Sequence, residues 1–363
     1  MKYKKLGTTD LDVSLICLGT MNMGEQNSQD EAFEQMDYSV EKGVNFFDTA
    51  EVYAVPPRKE TLGKTEEIIG NWFQKRKNRD KIILATKCVG AGVDWIRGGG
   101  NQFSEKNITQ AIEGSLKRLK TDYIDLYQLH WPERNTNFFG TRDYKHKVND
   151  GVELDFDGID ASKTAEHGGW NSFESILKVL KKFIEQGKIK HIGVSNETPW
   201  GFSKYLEISE RLSLPRIVSV QNPYNLLNRA YDIGMSEISC RENVGLLAYS
   251  PLAIGYLSGK YRDNKIPENS RIGLFGKFWT RYKEPNAIKA TDEYFKLAKE
   301  SNLTLTQMAL AFVNSRPFVT SNIIGATTMS QLKENIESVE GSLSQDILDK
   351  INSIHADIPN PTP

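Results

Sequence analysis

Short apolar runs and amphipathic stretches take turns along this chain of 363 residues. The opening over 1–13 reads as a hairpin about a Gly7-Thr8-Thr9-Asp10 turn, and a buried strand follows at 15–19. Ser28, with Glu31 three residues on and Phe33, Met36 and Val40 at helical spacing, predicts a capped helix that Gly43 stops. An apolar strand comes next at 45–48. The alternation then repeats: helix 66–73, strand 82–86, helix 104–119, strand 123–129, helix 173–186, strand 191–194, helix 201–211, strand 217–221, helix 229–242, strand 245–249. Helices at 290–301 and 305–314, a strand at 321–324 and a helix at 330–339 complete the pattern. Such alternation predicts a parallel sheet covered by helices. Eight units after a hairpin predict an α/β fold closed into a (β/α)8 TIM barrel, as one domain over 1–363. An open doubly wound sheet would carry GxGxxG after its first strand, where this chain has GTMNMGEQ.

Two stretches break the rhythm, after strands 4 and 7. Residues 132–169, rich in Asp, Asn and Gly, read as an excursion near the pocket mouth. Residues 250–285 read as a second long loop, and Gly98-Gly99-Gly100 as a loop that follows no strand closely.

Composition narrows the classes. A formal net charge of −1 argues against a general electrostatic grip on nucleic acid or an anionic membrane. No run of about 18 apolar residues predicts a membrane span, and the N-terminus shows no apolar leader. Cys17, Cys88 and Cys240 are too widely spaced for a disulfide framework or a cysteine zinc site, which suits reduced thiols and a cytoplasmic setting. Of the five histidines only His130 stands at a predicted C-terminal strand end, so a metal-dependent hydrolase is disfavoured and no metal is expected.

Barrel enzymes place their chemistry at the C-terminal ends of the strands. Strand 2 ends in Asp48, with Tyr53 five residues on; strand 3 ends in Lys87; strand 4 ends in His130. Alone, each residue reads as a cap, a packed aromatic, a rim charge or a structural imidazole. Together, at three consecutive strand ends, they suit carbonyl reduction. A tyrosine can give the carbonyl oxygen its proton, but its unperturbed pKa is about 10. A nearby cation, here Lys87, favours the phenolate, Asp48 can balance Lys87, and His130 can orient the carbonyl.

The pieces ICLGTM, NFFDTAEVY, ILATKC, DYIDLYQLHWP, IGVSN, VQNPYNLLNR, LLAYSPLAIGYLSGKY and GATTMSQLKEN, in that order, resemble the aldo-keto reductase superfamily over about residues 1–340. Through AEVYAVPPRKETLGKTEEIIGNW the likeness is greatest to its bacterial Tas-type branch. The resemblance implies NADPH-dependent reduction of a small aldehyde or ketone, with Tyr53 as general acid beside Asp48, Lys87 and His130. It implies that Gly19, Thr20, Met21 and Asp48 also line the cofactor, and that Ser195, Asn196 and Gln221 meet its carboxamide while Tyr249 lies under the ring. The strap Ser250, Pro251, Leu252, Ala253, Gly255 and Leu257 resembles the family's pyrophosphate loop. Lys260 and Arg271 resemble the cations that meet a 2′-phosphate, and Gly325, Thr327, Gln331, Glu334 and Asn335 the segment that holds the adenosine. Many members carry arginine where Thr327 or Thr328 stands, so here the NADPH preference falls to Lys260 and Arg271. Thr328 and Gln331 also fit a capping box. Met21, Tyr53 and Trp131 frame a substrate pocket whose walls suit an apolar or aromatic carbonyl compound. The competing reading from the same resemblance is a cofactor-binding regulatory or scaffold protein with slow turnover. No oligomeric state is read from the sequence.

Overall fold

Ten strands form among the described residues, and most barrel strands are buried at nearly every position, as in β5 Ile83–Cys88, β6 Ile124–Leu129 and β10 Val319–Ile324. A strand with interior on one side and helices on the other has no wet face, so polar alternation is lost. In this computed structural model residues 1–100, 102–134, 136–137, 139, 171–277 and 280–363 are described. β1 Tyr3–Lys5 and β2 Asp12–Ser14 pair antiparallel, Tyr3 opposite Ser14, as the expected hairpin. The parallel strands β3 Ile16–Gly19, β4 Phe46–Asp48, β5, β6, β7 Ile189–Ser195, β8 Ile217–Pro223, β9 Gly245–Tyr249 and β10 close a barrel in the order β10-β3-β4-β5-β6-β7-β8-β9. No helix among the described residues is long and apolar enough to cross a membrane.

The chain divides into two compact units, Thr49–Val220 and Met1–Asp48 with Gln221–Pro363. Within Thr49–Val220, helices Lys64–Arg76 and Glu105–Leu119 pack at Gly70. A Cβ there would run into the Arg118 carbonyl oxygen and sit 2.8 Å from the carbonyl carbon of Leu119. Between them Glu66, fully buried, accepts from Arg118 Nε at 2.7 Å and Thr86 Oγ1 at 2.6 Å. At the opposite end of β6 from the candidate site, Asp125 holds Arg79 at 2.7 Å and Lys190 at 2.8 Å.

In the other unit β10 lies between β3 and β9, and Gly19 is opposite Asp48 in the β3–β4 register. Ser28 and Glu31 form the expected capping box on helix Gln29–Glu41: Glu31 N donates to Ser28 Oγ at 3.3 Å and Ser28 N to Glu31 Oε2 at 2.7 Å. Three features depart from the sequence pattern. The helix expected over 229–242 begins only at Met235, because Gly234, at φ +81°, ends a separate turn at Ala230–Asp232. The stretch 250–285 is not structureless: it holds a 3-10 turn Ala253–Ser258 and a short helix Arg271–Phe275 capped by Ser270. A helix Gln345–Asp357, capped by Ser344, follows the last expected one; Ile347, Leu348, Ile351 and Ile354 recur along it at helical spacing, a local signal the expected pattern leaves out, and Ile351 is buried.

Candidate active site

Within Thr49–Val220, β5 carries Lys87, whose side chain is fully buried. An ammonium out of water needs partners. Lys87 Nζ donates to Thr49 O at 2.7 Å and lies 3.4 Å from Tyr53 Oη. It also stands 4.9 Å from the Tyr53 ring centre. Tyr53 is held by a turn in which its N–H donates to Ala50 O at 3.1 Å.

His130 follows β6 directly, and its N–H donates to Cys88 O at 2.9 Å. Its ring stands edge-on to Tyr53, 5.7 Å between centroids at 75°. Burial, reinforced by the charge of Lys87, holds the imidazole well below its ordinary pKa. His130 is therefore neutral at physiological pH, with one ring N–H to donate. Its Nδ1 is buried with no hydrogen-bond partner among the described residues. Three of the four residues singled out for proton chemistry thus meet within this unit.

Trp131 donates from Nε1 to Ala91 O at 2.9 Å, its ring 4.8 Å from that of His130. Gly90 makes room for it, since a Cβ there would enter the indole. Of the 132–169 excursion, 135, 138 and 140–169 lie outside the described residues. Its described margins are pinned: Glu133 Oε2 accepts from Asn171 N at 3.1 Å, and Arg134 reaches Glu197 at 3.1 Å and stacks 5.1 Å from the Trp200 ring. Ser195 ends β7 and Asn196 follows it, both buried. Asn196, at φ +53°, donates from Nδ2 to His130 O at 2.9 Å. It therefore helps hold the His130 backbone, a role the sequence does not signal.

In the other unit Asp48 ends β4, buried, its carbonyl accepting from Thr20 N at 3.1 Å and Thr20 Oγ1 at 2.8 Å. Gln221 Nε2 donates to Asp48 Oδ1 at 2.8 Å. Gly19 has a plain packing reason: a Cβ would come 2.8 Å from Ile324 O. Met21 is partly exposed. Tyr249 ends β9 and meets the half-buried Arg281 guanidinium through its hydroxyl.

The segment after Tyr249 is tightly coiled. Ser250, Ala253, Ile254 and Gly255 all have positive φ, and Gly255 N and Leu257 N both donate to Leu252 O, at 2.8 and 3.1 Å. A β-branched residue such as Ile254 at φ +51° is held there by its surroundings, and such outliers cluster at binding loops. Lys260 is brought beside Arg271; burial, then that like charge, lowers its ammonium from the ordinary value. Arg271 donates to Asn22 Oδ1, and Asn22 Nδ2 to Ala326 O at 3.3 Å. Asn22 thus ties the segment carrying Arg271 to the turn after β10, although its position beside Met21 was its only mark in the sequence.

Past β10 the expected capping box is half formed. Thr328 Oγ1 accepts from Gln331 N at 3.3 Å, but the Gln331 side chain reaches one residue further back, to Thr327 N at 3.0 Å. Asn335 donates to Gly325 O at 3.1 Å, and Glu334 accepts from Thr304 Oγ1 at 2.9 Å. Among the described residues no group of three His, Cys, Asp or Glu side chains could hold a metal ion.

The Aldo/keto reductase family profile matches residues 15–356. The chain belongs to this family. It is 44% identical over its whole length, and that of the relative, to Protein tas of Escherichia coli (strain K12). It is 37% identical to an Aldo-keto reductase of Babesia bovis over 76% of this chain and 96% of that one. With the Uncharacterized oxidoreductase YrpG of Bacillus subtilis (strain 168) it shares 33% over 98% and 96%. As an aldo/keto reductase the chain is an oxidoreductase, of a family that generally uses nicotinamide cofactors on small carbonyl compounds.

Proposed function

We propose that this chain, over a single barrel domain spanning 1–363, reduces aldehydes or ketones to alcohols with NADPH, Tyr53 acting as general acid. The observation that carries the reading is the buried Lys87 ammonium 3.4 Å from the Tyr53 hydroxyl. As the carbonyl oxygen gains electron density, Tyr53 gives it the phenolic proton. Lys87 stabilises the phenolate left behind. Neutral His130 donates a hydrogen bond that orients the carbonyl. Asp48 precedes Thr49, whose carbonyl takes the Lys87 ammonium, and the proposal gives Asp48 the balancing carboxylate. Bound NADPH supplies the hydride for the carbonyl carbon. Met21, Tyr53 and Trp131 border the substrate.

The donor set fits a dinucleotide. Ser195, Asn196 and Gln221 offer amide and hydroxyl groups for the carboxamide, with Gly19, Thr20, Met21, Asp48 and Tyr249 about the ring. The coiled strap Ser250, Pro251, Leu252, Ala253, Gly255 and Leu257 would hold the pyrophosphate. Gly325, Thr327, Gln331, Glu334 and Asn335 would hold the adenosine, and the adjoining cations Lys260 and Arg271 suit an added phosphate.

The test is NADPH oxidation against a panel of aldehydes and ketones, with Tyr53→Phe beside the native chain. Tyr53→Phe should cut kcat by about 10²- to 10⁴-fold while leaving the NADPH Kd near its native value. Retained turnover in that variant removes Tyr53 from the acid role. Binding without turnover on any carbonyl favours the slow regulatory reading. Equal dissociation constants for NADPH and NADH remove the assignment of Lys260 and Arg271.

A further inference from the structure

We propose that Glu51 and Arg97 are a positioning pair that keeps Tyr53 in register with Lys87, an inference that rests on Tyr53 being the proton donor. Every residue involved lies within Thr49–Val220. The segment leading to Tyr53 begins as an extension of the parallel ladder on β5. Thr49 N donates to Ala85 O at 2.9 Å, and Glu51 N to Lys87 O at 3.2 Å. The next rung of such a ladder would set Val89 N–H on the backbone carbonyl of Glu51. Instead Val89 N donates to the side chain, Glu51 Oε1, at 2.7 Å. The carboxylate replaces the main-chain acceptor, so the chain can leave the ladder and turn toward Tyr53 without orphaning a buried N–H.

Arg97 fixes that carboxylate. Its Nη1 donates to Glu51 Oε2 at 2.9 Å and its Nη2 to Oε1 at 2.6 Å, a two-pronged grip that sets the plane of the acid. Arg97 is itself held, Nε to Gln102 Oε1 at 2.9 Å, and the buried Gln102 donates to Ile96 O at 3.1 Å. Burial works against the guanidinium, but Glu51 outweighs it and holds the group above its ordinary pKa. Cys88, Tyr127 and Arg118 are the other titratable groups that feel Glu51, while Lys87 and His130 face Tyr53. The pair thus grips the one stretch, 87–89, that supplies the ammonium, accepts the His130 N–H at Cys88 O and anchors the Tyr53 turn. A buried ion pair is weak support for stability when an apolar pair of similar volume could replace it. Glu51 stands two residues before Tyr53 and bonds the backbone of β5 on both sides of Cys88, at Lys87 O and Val89 N, and that assigns the pair to positioning.

The experiment uses the full chain with Arg97→Met and Arg97→Lys, each read for kcat, KM, NADPH Kd and thermal midpoint. Ionisation of the Tyr53 phenol is followed by tyrosinate absorbance, as the difference from the same chain carrying Tyr53→Phe. Arg97→Met is expected to lower kcat about 10- to 100-fold, with KM and NADPH Kd near native, since small misplacements act on the chemical step. Tyr53 should then ionise at higher pH, because the ammonium favouring its phenolate has moved away. Arg97→Lys should recover part of both effects. A lower thermal midpoint with kcat and Tyr53 ionisation unchanged would mean that the pair only supports the fold, and overturns the proposal. If Arg97→Met does not fold, Arg97→Lys decides alone: a reduced kcat with raised Tyr53 ionisation supports it, and native values of both overturn it. Full turnover in Tyr53→Phe would remove Tyr53 from the acid role instead, and the Tyr53 titration would still report whether Arg97 holds the phenol near Lys87.

Discussion

His130 shows what burial does to one imidazole. Its folded pKa is depressed, so it stays neutral where an unfolded-chain histidine, near 6.5, takes a proton. The unfolded state therefore binds more protons as pH falls, and the stability present above about 6.5 is lost on the way down toward the folded value. Between pH 7.5 and 5.5 the native chain should lose about 1 kcal/mol more unfolding free energy than His130→Asn. Urea titrations at the two pH values measure this, and equal losses in the two proteins would deny the neutral, buried imidazole. The same scale separates what a residue's identity discloses from what it hides. Tyr53, Lys87 and His130 are legible because an acid, a cation and an imidazole at strand ends have a joint chemical use. Glu51, Asn22 and Asn196 are not, because their value lies in which backbone group each happens to reach.

At the scale of elements, caps and spacing carry most of the information. Ser28 with Glu31 and Thr304 with Gln307 close capping boxes through interactions only three residues apart, so the local sequence suffices to predict them. Gly234 divides an expected helix for an equally local reason, its positive φ. Gly70 is different. In an isolated helix Gly70→Ala would gain about 1 kcal/mol of propensity. Here its Cβ would meet the backbone of the neighbouring helix Glu105–Leu119, which cannot swing aside like a side-chain tip. The substitution should cost about 1–3 kcal/mol net, because overpacking against backbone outweighs the propensity gain. Chemical denaturation reads it directly; a more stable variant would show that the two helices separate at little cost.

For the whole molecule, a ligand that binds only the folded chain raises its stability by mass action. NADPH at 100 times its Kd should add about 2.7 kcal/mol, seen as an upward shift in thermal midpoint. Lys260→Ala with Arg271→Ala should bring that shift down to the level produced by NADH. An unchanged NADPH shift in the double variant would place the 2′-phosphate elsewhere. The barrel itself was readable in the chain, because β-then-α alternation is written in local periodicity and repeated often enough to imply closure. So was the placing of Asp48 at the end of β4, Lys87 near the end of β5 and His130 just after β6, because each stands where an apolar run stops. The sequence could not disclose that a carboxylate stands in for a ladder carbonyl at Val89, that Gln331 bypasses its cap partner for Thr327, or that Gln221 spends an amide proton on Asp48. Each is a choice among several chemically equivalent partners, and only the folded backbone, by bringing one of them within about 3 Å, makes that choice.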